Sequence, residues 1–121
     1  MIPTRKLNNG TTIPVIGLGT SQMKTPQETV EVIKTALSVG YRLIDTATMY
    51  GNEESVGQGI RESDVPRDEI FLTTKLWPDD FNDPNTAFNT SLQKLGLDYV
   101  DIYLVHWPRG MKESVWRSLE S

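Results

Sequence analysis

Cysteine is absent from the 121 residues, which excludes disulfides and thiolate metal sites, and no metal is expected. No apolar run approaches the roughly 18 residues that a membrane span needs, and the Met-Ile-Pro-Thr-Arg start lacks the apolar stretch of a signal peptide. A cytoplasmic location without a membrane partner is the resulting expectation. Basic residues are few and unclustered: 12 Lys and Arg against 16 Asp and Glu give a formal charge of −4, which argues against nucleic acid as the main partner. What remains, 37% hydrophobic and 23% charged residues, is the composition of an ordinary globular protein able to bury a core.

Strand and helix signals alternate along the chain. Arg5 to Ile13 reads as a hairpin around Asn8-Asn9-Gly10, whose residues tolerate the positive φ of a tight turn. Val15 to Leu18 reads as a short strand. Thr25-Pro26-Gln27-Glu28 has the form of a capping box with proline at the first helical position, Val30, Ile33 and Leu37 share one face behind it, and Gly40 supplies a left-handed stop. The pattern repeats with a strand at Tyr41–Ile44, a polar loop at Thr48–Asn52 and a helix carrying Val56 and Ile60. After a break at Asp64-Val65-Pro66 come a strand at Ile70–Thr74, a helix capped by Asp83-Pro84 with Phe88, Leu92 and Leu95 facing inward and Gly96 ending it, and a long strand at Tyr99–Val105. Glu113 to Leu119 starts a fourth helix, with Val115, Trp116 and Leu119 at helical spacing.

Strands alternating with single helices imply a parallel sheet of right-handed βαβ units. An open flavodoxin-like sheet typically has five strands, and a (β/α)8 barrel of about 250 residues needs twice what is present. Because the sequence stops partway through an amphipathic helix, the expectation is a single incomplete domain over residues 1–121: the hairpin plus the first four βα units of a barrel, the fourth helix cut short.

In either fold, functional groups gather at the carboxyl ends of parallel strands. Gly19 and Thr20 follow the first strand, Asp45 the second with Tyr50 five residues on, Lys75 the third and His106 the fourth. Asp45 and Lys75 are 30 residues apart, Lys75 and His106 31, so one βα unit separates each from the next and all reach one rim. Each alone has an ordinary reading: Asp45 capping a turn, Tyr50 packing its ring, Lys75 a solvated strand-end lysine, His106 a satisfied core histidine. Together they have a chemical purpose. Lys75 lies between the apolar Ile70-Phe71-Leu72 and Leu76-Trp77, with Asp45 as nearest counterion, and a cation beside a phenol favours tyrosinate and so makes tyrosine a better general acid.

These residues carry a resemblance. The segment Gly40 to Glu54, GYRLIDTATMYGNEE, resembles the first signature of the aldo-keto reductases; Leu97 to Pro108, LDYVDIYLVHWP, is similar to their fourth-strand motif, Thr74-Lys75-Leu76-Trp77 to their third and Gly17-Leu18-Gly19-Thr20 to their first strand end. The N-terminal hairpin resembles the one that plugs the bottom of their barrel. The resemblance covers the whole chain. It implies the N-terminal half of a (β/α)8 barrel that binds NADPH/NADP without a Rossmann domain and reduces aldehydes and ketones, with Tyr50 as general acid, Lys75 and Asp45 tuning it, and His106 orienting the carbonyl. It further implies Gly19, Thr20, Ser21 and Asp45 at the cofactor, and Met49, Trp77 and Trp107 as walls of the substrate pocket. Ser21 departs from the pattern, since many relatives carry an aromatic residue there. The family's second signature and most of its cofactor segments are not among these residues, which are expected to need the missing half.

Three readings compete. The first is the N-terminal half of an NADPH-dependent carbonyl reductase. The second is a non-catalytic half-barrel kept as an interaction or regulatory module. The third is a self-contained flavodoxin-like domain, opposed by the unfinished helix and by the lack of a glycine-rich phosphate loop. A half-barrel leaves two open edges and an apolar face, so self-association or pairing with a complement is expected.

Overall fold

The computed structural model describes residues 2–121; the start at Met1, on which the signal-peptide reading rested, lies partly outside them. Two strands, β1 (Thr4–Lys6) and β2 (Thr12–Pro14), form an antiparallel hairpin, extended by the Val15 amide donating to the Pro3 carbonyl. A second, parallel sheet holds β3 (Leu18–Gly19), β4 (Leu43–Asp45), β5 (Phe71–Leu76) and β6 (Ile102–Val105) in sequential order. The helices α1 (Pro26–Ser38), α2 (Glu53–Glu62), α3 (Pro84–Leu95) and α4 (Glu113–Glu120) follow one strand each. This is the sequential parallel arrangement of a barrel's first four βα units.

Local chemistry explains the helix ends. The Thr25 hydroxyl accepts from the Glu28 amide, with Pro26 in the first turn, and Asp83 accepts from the Thr86 amide ahead of Pro84. At the far ends Gly40 and Gly96 have φ of 114° and 67°, a region open to glycine, and the Tyr41 and Leu97 amides reach back to Ala36 and Leu92.

Side chains alternate between the two faces of the parallel sheet. Ile44, Leu72, Thr74 and Leu76 are fully buried beneath the helices, where Ile33, Leu37, Val56, Ile60 and Leu95 complete the core. Each such aliphatic side chain contributes about 1.5–3 kcal/mol by leaving water. α2 fits between α1 and α3 because Gly57 and Gly59 let the backbones approach: a Cβ on Gly57 would stand 1.8 Å from the Leu95 carbonyl oxygen. The opposite face of the sheet carries Leu43, Asp45, Phe71, Thr73, Lys75, Ile102 and Leu104, with Leu104 40% exposed.

Several boundaries move. The first parallel strand is Leu18–Gly19 and not Val15–Leu18; Val15 and Ile16 are exposed, because Val15 serves the hairpin. The second ends one residue further than Ile44, at Asp45, and the third two further than Thr74, at Leu76, so Asp45 and Lys75 lie within strands. The last strand starts at Ile102, since the Arg67 guanidinium and the Asp101 carboxylate hold the preceding Tyr99–Asp101 segment in a bend, and β5 is the longer strand. On α4 only Val115 is buried, and Trp116 is exposed.

Candidate active site

The carboxyl ends of the parallel strands bring the acid, phenol, ammonium and imidazole together. Asp45 closes β4, in register with Gly19 on one side and Thr73 on the other; Lys75 stands two residues beyond Thr73 on the same face. Lys75 Nζ donates to Asp45 Oδ2 at 2.8 Å, to the Thr46 carbonyl at 3.1 Å and to the Tyr50 hydroxyl oxygen at 3.1 Å, and lies 4.8 Å from the Tyr50 ring centroid. The lysine side chain is 14% exposed and that of Asp45 35%, so the pair is partly dry and open on one side.

Tyr50 reaches the lysine because the chain turns tightly after β4. A single 3₁₀ turn, Thr48–Tyr50, is closed by Gly51 at φ 69°, and the buried Asn52 pins it by donating to the Thr20 carbonyl at 2.8 Å and accepting from the Thr46 hydroxyl at 3.0 Å. The Thr20 amide and hydroxyl both donate to the Asp45 carbonyl, locking the first strand end to the second.

His106 follows β6, its amide donating to the Leu76 carbonyl at 3.0 Å. Its ring stands edge-on to Tyr50 with centroids 5.7 Å apart and to Trp77 at 5.2 Å, and lies parallel to Trp107 at 6.2 Å. Nδ1 is buried without a partner among the described residues, so contact with an incoming molecule falls to Nε2. Burial lowers the imidazole's pKa below its ordinary value; the Lys75 ammonium adds to this and Asp45 opposes it. The ring is therefore neutral near pH 7.

The other site residues read from the sequence fall around this centre. Gly19 and Ser21 are exposed at the rim, whereas Thr20 is fully buried and its hydroxyl is committed to Asp45. Trp77 and Trp107 flank His106; Met49 is 58% exposed in the turn. A cavity of about 790 Å³ between the hairpin and the residues at and before the strand starts, lined by Thr4, Pro14, Arg42, Phe71 and Asp101, lies at the opposite rim. It contains none of the four ionisable residues.

Sequence reasoning missed the polar groups in and behind the sheet around these four. The Thr73 hydroxyl donates to Asp45 Oδ1. Behind the sheet Glu53, 3% exposed, accepts from Thr74 at 2.7 Å and from Ser91 at 3.2 Å, tying the start of α2 to β5 and α3. Nearby the Tyr103 hydroxyl is buried without a partner among the described residues, and burial, with Glu53 and Asp80 assisting, raises its pKa strongly. The available signal was the pair Thr73-Thr74 directly after the apolar Ile70-Phe71-Leu72, since a buried hydroxyl needs a partner.

Comparison with known proteins agrees with this geometry. The model of the Aldo/keto reductase family matches residues 15–121. A methylglyoxal reductase, DkgA, of Yersinia pestis is 52% identical over 98% of this chain, and the glycerol 2-dehydrogenase (NADP(+)) of Saccharomyces cerevisiae is 56% identical over 84% of it. The chain spans 44% and 32% of the lengths of those two proteins. Among solved structures, an aldo/keto reductase from Brucella melitensis superposes with a TM-score of 0.92 at 50% identity over 99% of this chain and 47% of its own. A Bombyx mori aldo-keto reductase in complex with NADP gives a TM-score of 0.89 at 38% identity, over 98% of this chain and 46% of its own. With four parallel strands in sequential order, a Tyr50–Lys75–Asp45 cluster beside His106 at their carboxyl ends, and a family match over most of its length, this chain belongs to the aldo/keto reductase family.

Proposed function

We propose that these residues form the N-terminal half of an NADPH-dependent reductase of aldehydes and ketones, with Tyr50, Lys75, Asp45 and His106 as its acid–base centre. One observation carries the reading: the Lys75 ammonium, charge-paired with Asp45, directs an N–H to the Tyr50 oxygen at 3.1 Å. A cation held there stabilises the phenolate that remains once the tyrosine has given up its proton.

The rim suits a nicotinamide. A Cβ built on Gly19 would meet nothing within 4 Å, and Asp45 beside it keeps about a third of its side chain exposed, so Gly19, Ser21 and Asp45 are free to line a planar ring while Thr20 fixes the strand end. When bound, the reduced cofactor supplies a hydride to the carbonyl carbon. Tyr50 transfers its hydroxyl proton to the carbonyl oxygen. His106, neutral, donates from Nε2 to the same oxygen and so orients the carbonyl and stabilises the charge that develops on it. Trp77 and Trp107 beside the imidazole, with Met49, form apolar walls that keep water from the transfer. The relatives described as reductases or dehydrogenases of small carbonyl and alcohol compounds support this substrate class. A cytoplasmic location belongs to the same proposal, and so does closure of the open sheet by further barrel strands.

The test is NADPH consumption with an aromatic aldehyde by a chain carrying these residues and the rest of a barrel. Tyr50→Phe removes one oxygen and is expected to lower turnover by about 10² to 10⁴ while NADPH affinity stays within about twofold. Unimpaired turnover in that variant would remove Tyr50 from the reaction.

A further inference from the structure

The three protons of the Lys75 ammonium have three acceptors, and only one of these is a reacting group. Tyr50 can receive its N–H reliably only if the other two acceptors stay where they are. The Thr46 carbonyl is main chain, held by the Thr46 amide donating to the Thr73 carbonyl at 2.9 Å. Asp45 has no such constraint of its own. Its carboxylate turns about two side-chain bonds, the outer one broad in its preferences, and with 35% of the side chain exposed water competes for it.

We propose that Thr73 is the positioning residue that removes this freedom, a role that rests on the carbonyl-reductase reading of the site. Thr73 is directly opposite Asp45 in the sheet, 6% exposed and β-branched, so its side chain is stiff. Its hydroxyl donates to Asp45 Oδ1 while Lys75 takes Oδ2, which gives each carboxylate oxygen one partner and sets the carboxylate plane. With Asp45 and Thr46 fixed, the third N–H points at the Tyr50 oxygen. One residue does both jobs: the carbonyl of Thr73 places Thr46, and its hydroxyl places Asp45.

A threonine in a strand could instead serve by shape, and two substitutions separate the roles in the full-length reductase. Thr73→Val keeps the volume and loses the hydroxyl; Thr73→Ser keeps the hydroxyl and loses the methyl. The expected result is that Thr73→Val lowers kcat about tenfold with the aldehyde KM and NADPH affinity within about twofold, and that Thr73→Ser stays within about twofold throughout. The reverse order, or a Thr73→Val enzyme equal to wild type, would overturn the clamp. A second measurement needs no turnover: the ¹H–¹⁵N signal of the Lys75 ammonium should persist in wild type and Thr73→Ser and be lost to fast solvent exchange in Thr73→Val. If that signal follows the hydroxyl while wild type reduces no aldehyde, the clamp stands and the functional reading falls. If wild type is active and the signal ignores Thr73, the clamp alone is refuted.

Discussion

Replacing Lys75 by methionine keeps an unbranched side chain of similar length and removes only the ammonium, so stability and catalysis should respond in separable ways. The folded protein loses one ion pair at 2.8 Å and two hydrogen bonds at 3.1 Å. Exposed ion pairs are worth up to about 1 kcal/mol, and removing one partner of a buried pair costs about 3–5 kcal/mol. With side chains 14% and 35% exposed this pair falls between those limits, and we expect a loss of about 2 kcal/mol, or about 30-fold in the unfolding equilibrium. Most of that loss is the cost of leaving Asp45 charged in a partly dry site with Thr73 and the water on its open side as partners. Adding Asp45→Asn to Lys75→Met should therefore restore more than half of the stability, because the orphaned charge is gone. Catalysis should not recover. Both variants lack the cation that holds the Tyr50 oxygen, and turnover of an aromatic aldehyde should stay down by about 10³. Urea unfolding midpoints and NADPH consumption, measured on wild type, both single variants and the double variant, make the comparison. A double variant less stable than Lys75→Met, or a Lys75→Met enzyme within about threefold of wild-type turnover, would refute the reasoning.

Other expectations follow from neighbouring features. His106 is the sole histidine, and its folded pKa lies below its ordinary value because burial and Lys75 penalise the imidazolium. The unfolded chain therefore takes up a proton first as the pH falls, so stability should decline once the pH drops below about 6.5, and the decline should level off below the folded value. Urea midpoints at about pH 7.5 and 5.5 should differ less in His106→Asn than in wild type, and an equal difference would assign the effect elsewhere. Gly57→Ala puts a methyl 1.8 Å from the Leu95 carbonyl oxygen, which forces α2 and α3 apart and should cost at least about 2 kcal/mol by thermal unfolding; a neutral substitution would contradict the close helix approach.

How far the sequence reached can be followed residue by residue. The alternation of apolar runs with capped amphipathic segments determined the order of strands and helices, because the signals at Thr25-Pro26, Asp83-Pro84, Gly40 and Gly96 act within one turn of chain. The spacing of Asp45, Lys75 and His106 by about one βα unit then placed them on a common rim, since successive parallel strands carry equivalent positions to the same end. Strand boundaries were less legible. Val15 has a strand's composition but pairs in the hairpin, and Tyr99 is kept out of β6 by Arg67, a residue 32 positions away. What tertiary structure alone decided was the set of polar contacts that support the rim and the elements behind it. Thr73 meets Asp45 across 28 positions, Asn52 reaches Thr20 across 32 and Glu53 reaches Ser91 across 38. A short-range pattern states which side chains are polar, but a hydrogen bond depends on positions and directions that exist only once the strands are in register and the helices are packed.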